Sequence, residues 1–303
     1  MVLMVLVLLV NAAAGVSAQD WQPAAPHTMP PWATPAGYEA DGTPLYIARA
    51  SFNGGVQIGK VNPAHAGAYI PWGGKENTVS TFDVYCGSGR WVPGSGAAVP
   101  PGAIPGGKEA DGTPLYIIRA PLDGSLVPGK FNPAYHKGYL PYGGKEREIL
   151  SFEILVQDWV PLAGVQPPPG VLSAGSESSG APLYIIRAPM GGGVHPGKLN
   201  PANATGYVSY GGREVELKSG MEAFVGTGDW VAAADGEVPF GAIKAGYDDD
   251  GSPLFIIRAR YQGGTHLGKM NPSSGKAFIP YGGEEIEVVA YEVLVYRFRA
   301  SGQ

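Results

Sequence analysis

The chain is 303 residues long, 44% hydrophobic and 16% charged, with a formal net charge of -5 and neither a Lys/Arg run nor a basic stripe. That balance argues against nucleic acid or an anionic membrane surface as a partner. The 47 glycines and 29 prolines suit many short strands joined by tight turns, and no window after the amino terminus carries a sustained helical apolar spacing.

Taken in order, residues 1–10 are almost wholly Val, Leu and Met. Small residues follow to Val16-Ser17-Ala18, an A-x-A-like cleavage site ahead of Gln19. The run falls short of the ~20 apolar residues that span a bilayer. Residues 1–18 are therefore expected to be a signal peptide, and the protein to be secreted and extracellular with no membrane span. A Pro-rich lead-in follows, and then the chain repeats itself four times. P-L-[YF]-I-x-R-A begins at Pro44, Pro114, Pro182 and Pro253; the lysines of G-K-x-N are Lys60, Lys130, Lys198 and Lys269; aromatic-Gly-Gly corners start at Trp72, Tyr142, Tyr210 and Tyr281. Each set has the offsets 70, 68 and 71, which are those of one repeat. Trp21, Trp91, Trp159 and Trp230 recur in step and mark where each unit begins.

In the first unit, strands are expected at 45–50, 68–71 and 79–85, separated by glycine turns, and the second ends in the alternating Phe152-Glu153-Ile154-Leu155-Val156. About four short strands per unit make a meander too small to bury its own core, so units must pack together. Two units per globular body is the economical arrangement. The expected domains are 19–157 and 158–303, though a ring of four blades remains open. Cys86 stands alone, opposite Val156, Val225 and Val295 of the other units, and reads as a buried free thiol. Asn203-Ala204-Thr205 is a glycosylation sequon.

The recurring polar residues are the candidates for function. An acid stands 21 residues before each lysine (Glu39, Glu109, Glu177, Asp248), and a second stands 19 before it in three units (Asp41, Asp111, Asp250). A carboxylate beside an ammonium on turns near Tyr or Trp suits sugar hydroxyls, but it also makes an ordinary ion pair, and Asp-Gly is an ordinary turn dipeptide. Spacing alone favours the structural reading. Arg49, Arg119, Arg187 and Arg258 are expected to partner one of these acids. The histidines do not recur across all units; only His195 and His266 match, each three residues before its lysine. Catalytic and phosphate-binding motifs are missing, and Asp248-Asp249-Asp250 lacks calcium-loop spacing. No catalytic activity, cofactor or metal is expected.

Together, E-x-D-G-x-P-L-Y-I-x-R-A, P-G-K-x-N-P, Y-x-P-Y-G-G-x-E and F-E-[IV]-L-V resemble the DM-9 repeat, also found in natterin-like proteins, over essentially the whole span from Trp21 to Tyr296. The resemblance implies an all-β fold of short antiparallel strands, four tandem repeats paired into two domains of pseudo-twofold symmetry. It further implies a mannose-binding lectin of innate immunity whose partners are glycans on microbial or cell surfaces, open to homo-oligomerisation. Carried over by motif, the sugar-holding residues are Glu39 or Asp41 with Lys60, Glu109 or Asp111 with Lys130, Glu177 with Lys198, and Asp248 or Asp250 with Lys269. Unit three departs, with Ser179 in place of the second acid. The alternatives are a natterin-related toxin, which would need an amphipathic insertion region beyond the repeats, and a structural or adhesive extracellular protein that binds no sugar.

Overall fold

The computed structural model describes residues 20–96 and 98–297, so the expected signal peptide lies outside the described residues. These residues form 28 β-strands and no α-helix, seven strands to each repeat, arranged as two 14-stranded sheets. The first sheet runs from Trp21–Ala24 to Ser151–Val156 and the second from Trp159–Pro161 to Ala290–Val295. No described helix is long and apolar enough to cross a membrane.

Seven strands per unit exceed the four expected, and burial accounts for the difference. Gly55–Val61 is buried along almost its whole length and so shows no alternation. Lys75–Val79 is short, charged and half exposed. The Trp-bearing strand of each unit lies antiparallel to the last strand of the same unit, with Trp21 opposite Tyr85 and Trp91 opposite Leu155. There the repeated arginines find their partners. Arg49 stacks 4.2 Å over the Trp21 ring and meets Asp83 at 3.0 Å, while Arg119 stacks 4.3 Å over Trp91 and meets Glu153 at 2.7 Å. Arg187 and Arg258 repeat this with Glu222 and Glu292. The arginines therefore hold last-strand acids, not the turn acids expected from sequence.

Each pair of units closes into an eight-stranded barrel. In the first, pairing runs Pro44–Phe52, Pro35–Tyr38, Ser125–Asn132, Lys137–Tyr142, Lys145–Ile149, Lys75–Val79, Ala68–Trp72, Gly55–Val61 and back to Pro44–Phe52. The units meet about a pseudo-twofold axis, seen in the reciprocal bridges Tyr38 to Leu126 and Lys108 to Val56. Glycine is obligatory at this crossing. A Cβ on Gly37 would lie 1.9 Å from the Leu126 carbonyl oxygen, and one on Gly107 would lie 2.1 Å from that of Val56. Gly246 and Gly175 meet Val194 and Thr265 in the same way in the second pair.

The core is correspondingly shared. One cluster joins Ile47 and Ile58 of the first unit to Leu115 and Ile117 of the second, and its counterpart joins Leu183 and Ile185 to Ile256 and Leu267. The halves touch at Ser88, whose hydroxyl donates to Asp158 at 2.7 Å and accepts from the Trp159 indole at 3.1 Å. Asp158 is fully enclosed, and burial pushes its carboxyl up to about 6. Cys86 is a free, buried thiol with its pKa pushed up to about 12, burial being the main cause.

Candidate functional site

The four lysines are buried, 3–5% exposed, at the ends of strands that cross between paired units. Their most constant partner is a glutamate sixteen residues on, at the end of the aromatic-Gly-Gly-x-Glu corner: Glu76, Glu146, Glu214 and Glu285. The geometry begins at the corner. A two-residue Gly-Gly loop joins Trp72 to Lys75, with positive φ at both glycines, as a tight hairpin of this twist needs. That turn aims its amide at the partner unit. The Gly74 N–H donates to Glu146 at 2.8 Å and the Gly144 N–H to Glu76 at 2.7 Å. In the second pair, Gly283 donates to Glu214 at 2.8 Å and Gly212 to Glu285 at 2.9 Å. The other oxygen of each glutamate faces its own lysine, at 3.9 Å for Glu76, 3.6 Å for Glu146 and Glu214, and 3.0 Å for Glu285. The constant spacing of sixteen is visible in the sequence, but only the structure shows that this glutamate, rather than the turn acid, faces every lysine.

The acid–lysine pairs read from the sequence are brought into one site per unit, but only one pair is direct. Glu39 meets Lys60 at 3.3 Å. In the other three units, the side chain three residues before the partner unit's lysine stands between acid and lysine. Gln57 accepts from Lys130 at 2.6 Å and donates to Glu109 at 2.7 Å. The His266 ring nitrogen Nδ1 lies 3.3 Å from Lys198 and 4.0 Å from Glu177. His195 lies 3.3 Å from Lys269 through Nδ1 and 3.8 Å from Asp248 through Nε2. In unit one the residue facing from the partner would be Val127, which offers no polar group, so acid and lysine meet directly.

Three of the first turn acids are also held by the asparagine of K-x-N. Asn132 donates to Glu109 at 3.1 Å, Asn200 to Glu177 at 3.1 Å and Asn271 to Asp248 at 2.8 Å. The second acids are engaged in their own turns. Asp41, Asp111 and Asp250 accept the backbone N–H two residues on, at 2.9, 2.9 and 2.8 Å; that bond is the main cause holding Asp41 and Asp111 below the usual range, while for Asp250 the Ser252 side chain leads and the N–H adds to it. Ser179 does the same job in unit three, accepting from Ala181 at 3.4 Å.

Burial lowers the pKa of Lys130 and Lys198, opposed by Glu146 and Glu214. Burial also lowers His195 and His266, and the neighbouring lysine lowers each further. Aromatic rings complete the sites, with Lys60 5.1 Å from the Tyr142 ring of the partner unit and Lys198 5.4 Å from Tyr281. In unit two the result is a cleft of about 390 Å³ walled by Trp72, Tyr135 and Tyr139, with Lys130, Glu109 and Glu146 in its lining. Among the described residues, His195, Asp248 and Asp249 could together hold a metal, with ligand atoms within 4.8 Å of one another. Asp249 is already bound to Tyr210 and the Gly192 N–H, and the Lys269 ammonium beside the imidazole opposes a further cation. Asn203 is exposed on a turn, its amide donating to Tyr207 at 2.9 Å.

A barrel of paired repeats carrying one acid–lysine–aromatic site per unit defines a class, and comparison with known families agrees. The DM9 repeat model matches residues 5–79, 67–149, 111–217 and 180–288, and the chain belongs to the DM9 repeat family. Among solved structures, the crystal structure of the nematode sperm cell motility protein MFP2B aligns over 93% of this chain and 98% of that one, at 13% identity and a TM-score of 0.38. No curated protein matches the chain.

Proposed function

We propose that this DM9 protein is a secreted carbohydrate-binding protein, a lectin for mannose-type glycans on microbial or cell surfaces that serves innate pattern recognition. The observation that supports it most is the cleft at Lys130. Its volume of about 390 Å³ suits a small ligand, and it sets aromatic rings beside charged hydrogen-bonding groups. A pyranose has an apolar face and a polar rim, so such a cleft offers stacking and hydrogen bonds together. Four units in one chain would add avidity without new contacts.

The test is a glycan array with the intact protein, followed by calorimetry on Trp72→Ala. Trp72 is 38% exposed and touches Phe52 edge-on at 5.9 Å, so its loss should weaken sugar binding and leave the fold in place. An array that registers no glycan at all would sink the reading. Secretion has its own readout: the exported product should begin at Gln19 by mass spectrometry.

A further inference from the structure

We infer that the cleft at Lys130 takes a protonated amino sugar, a 2-amino-2-deoxyhexose carried in an oligosaccharide, in preference to a neutral hexose. The inference rests on the reading of this cleft as a saccharide site and goes on to name the class of sugar.

Charge accounting carries it. The cleft is lined by three carboxylates, Glu109, Asp111 and Glu146, and one ammonium, Lys130. Glu146 is the carboxylate nearest the ammonium, at 3.6 Å, and offsets it. Glu109 and Asp111 have no ion-pair partner within 4.0 Å among the described residues, and their protein donors are neutral amides. Gln57 and Asn132 bind Glu109 at 2.7 and 3.1 Å, and the Thr113 N–H binds Asp111 at 2.9 Å. The lining therefore carries a net charge of -2, three carboxylates against one ammonium.

Gln57 is the cause. Its carbonyl takes Lys130 and its amide takes Glu109, which keeps the two charges from pairing as Glu39 and Lys60 do. The walls suit a cation as well. Trp72 is 38% and Tyr135 65% exposed, and an ammonium over an aromatic face gains attraction from the ring quadrupole. An ammonium on the sugar can donate to Asp111 and Glu109 while the ring lies against Trp72. A neutral hydroxyl there would leave both charges as they are. The Thr113 N–H holds Asp111 below the usual carboxylate range, so it stays ionised where the amine is protonated.

The experiment titrates the intact protein with three probes: a fully deacetylated glucosamine oligomer, its N-acetylated counterpart and a mannose oligosaccharide. The deacetylated oligomer should bind about tenfold more tightly than the acetylated one, the size expected of a partly screened charge contact with an aromatic wall. Asp111→Asn keeps the turn, because the amide oxygen can still accept from Thr113. It should weaken the glucosamine oligomer several-fold more than it weakens the mannose probe. Asp229→Asn, an exposed acid of the other half, should change neither. Equal affinity for the acetylated and deacetylated oligomers overturns the inference while leaving a saccharide site. Equal weakening by Asp111→Asn and Asp229→Asn overturns it too, since the preference would then be attraction of a polycation to an acidic protein. Failure of all three probes overturns both this inference and the reading beneath it.

Discussion

Each half forms its own barrel of the same design, and one of the positions at which their sites differ decides how the charges couple. Three residues before the lysines stand Gln57 and Val127 in the first half, and His195 and His266 in the second. In the first half this position holds an amide or an apolar side chain, neither of which titrates. In the second it holds a buried imidazole wedged against an ammonium. Burial first, and then the Lys269 or Lys198 ammonium that a protonated ring would face, lower each histidine below its ordinary range. The backbone scaffold is common property; the side chain reaching across the pseudo-twofold axis decides how acid and lysine are coupled.

The largest break in this comparison should come from Lys130→Ala. The lysine is 3% exposed, and its loss leaves Glu146 half of a buried pair, which costs about 3–5 kcal/mol. Chemical denaturation should register that loss, whereas an unchanged midpoint would mean the pair contributes nothing to the fold. Trp72→Ala should lose sugar and keep stability, so the two variants separate binding from folding at one site.

Next in size is the contact between the halves. Burial raises Asp158 from its ordinary 3.8 to about 6. The folded state therefore holds that proton more tightly than the unfolded chain. This stability is complete below pH 3.8 and is lost as pH rises through about 6. A two-unit shift corresponds to about 3 kcal/mol across that window. Asp158→Asn should flatten this segment of the stability–pH curve.

The histidines work with the opposite sign. Their folded values lie below the ordinary 6.5, so stability is full above pH 6.5 and falls as the pH drops through the lowered values. The groups facing His195 are Lys269, Asp248, Asp249, Glu285 and the Tyr210 ring; His266 is faced by Lys198, Glu177 and Tyr281. His195→Gln with His266→Gln transplants the first half's amide and should move the acid-unfolding midpoint of the second half lower. Gln57→His should do the reverse in the first half. The smallest effect belongs to Cys86→Val, which installs the residue of the other units at less than about 1.5 kcal/mol. In the parent protein, alkylation of Cys86 should be slow under native conditions, because burial raises the thiol to about 12.

Much of this was legible in the sequence. The offsets of Pro44, Lys60 and Trp72 and their counterparts fixed the repeat, and the lone Cys86 opposite three valines marked a buried position. Some strands were hidden because their pattern is not periodic. Gly55–Val61 is buried on both faces, and Lys75–Val79 is charged because it carries the glutamate and flanks an exposed corner. The arginines were placed against the wrong acids because their partners lie 34 or 35 residues away on the last strand.

By itself, the sequence determined the repeat, the β class and the residue types each site can draw upon, since these follow from local composition and constant spacing. Only the tertiary structure decided which of them touch. Glu109 and Lys130 are 21 residues apart in every reading of the chain, yet a glutamine 73 residues from the lysine stands between them. That arrangement arises because neither unit can bury its core alone. The pairing that closes the barrel brings the second strand of one unit's hairpin beside that of the other, and so places a side chain of one repeat inside the site of its neighbour.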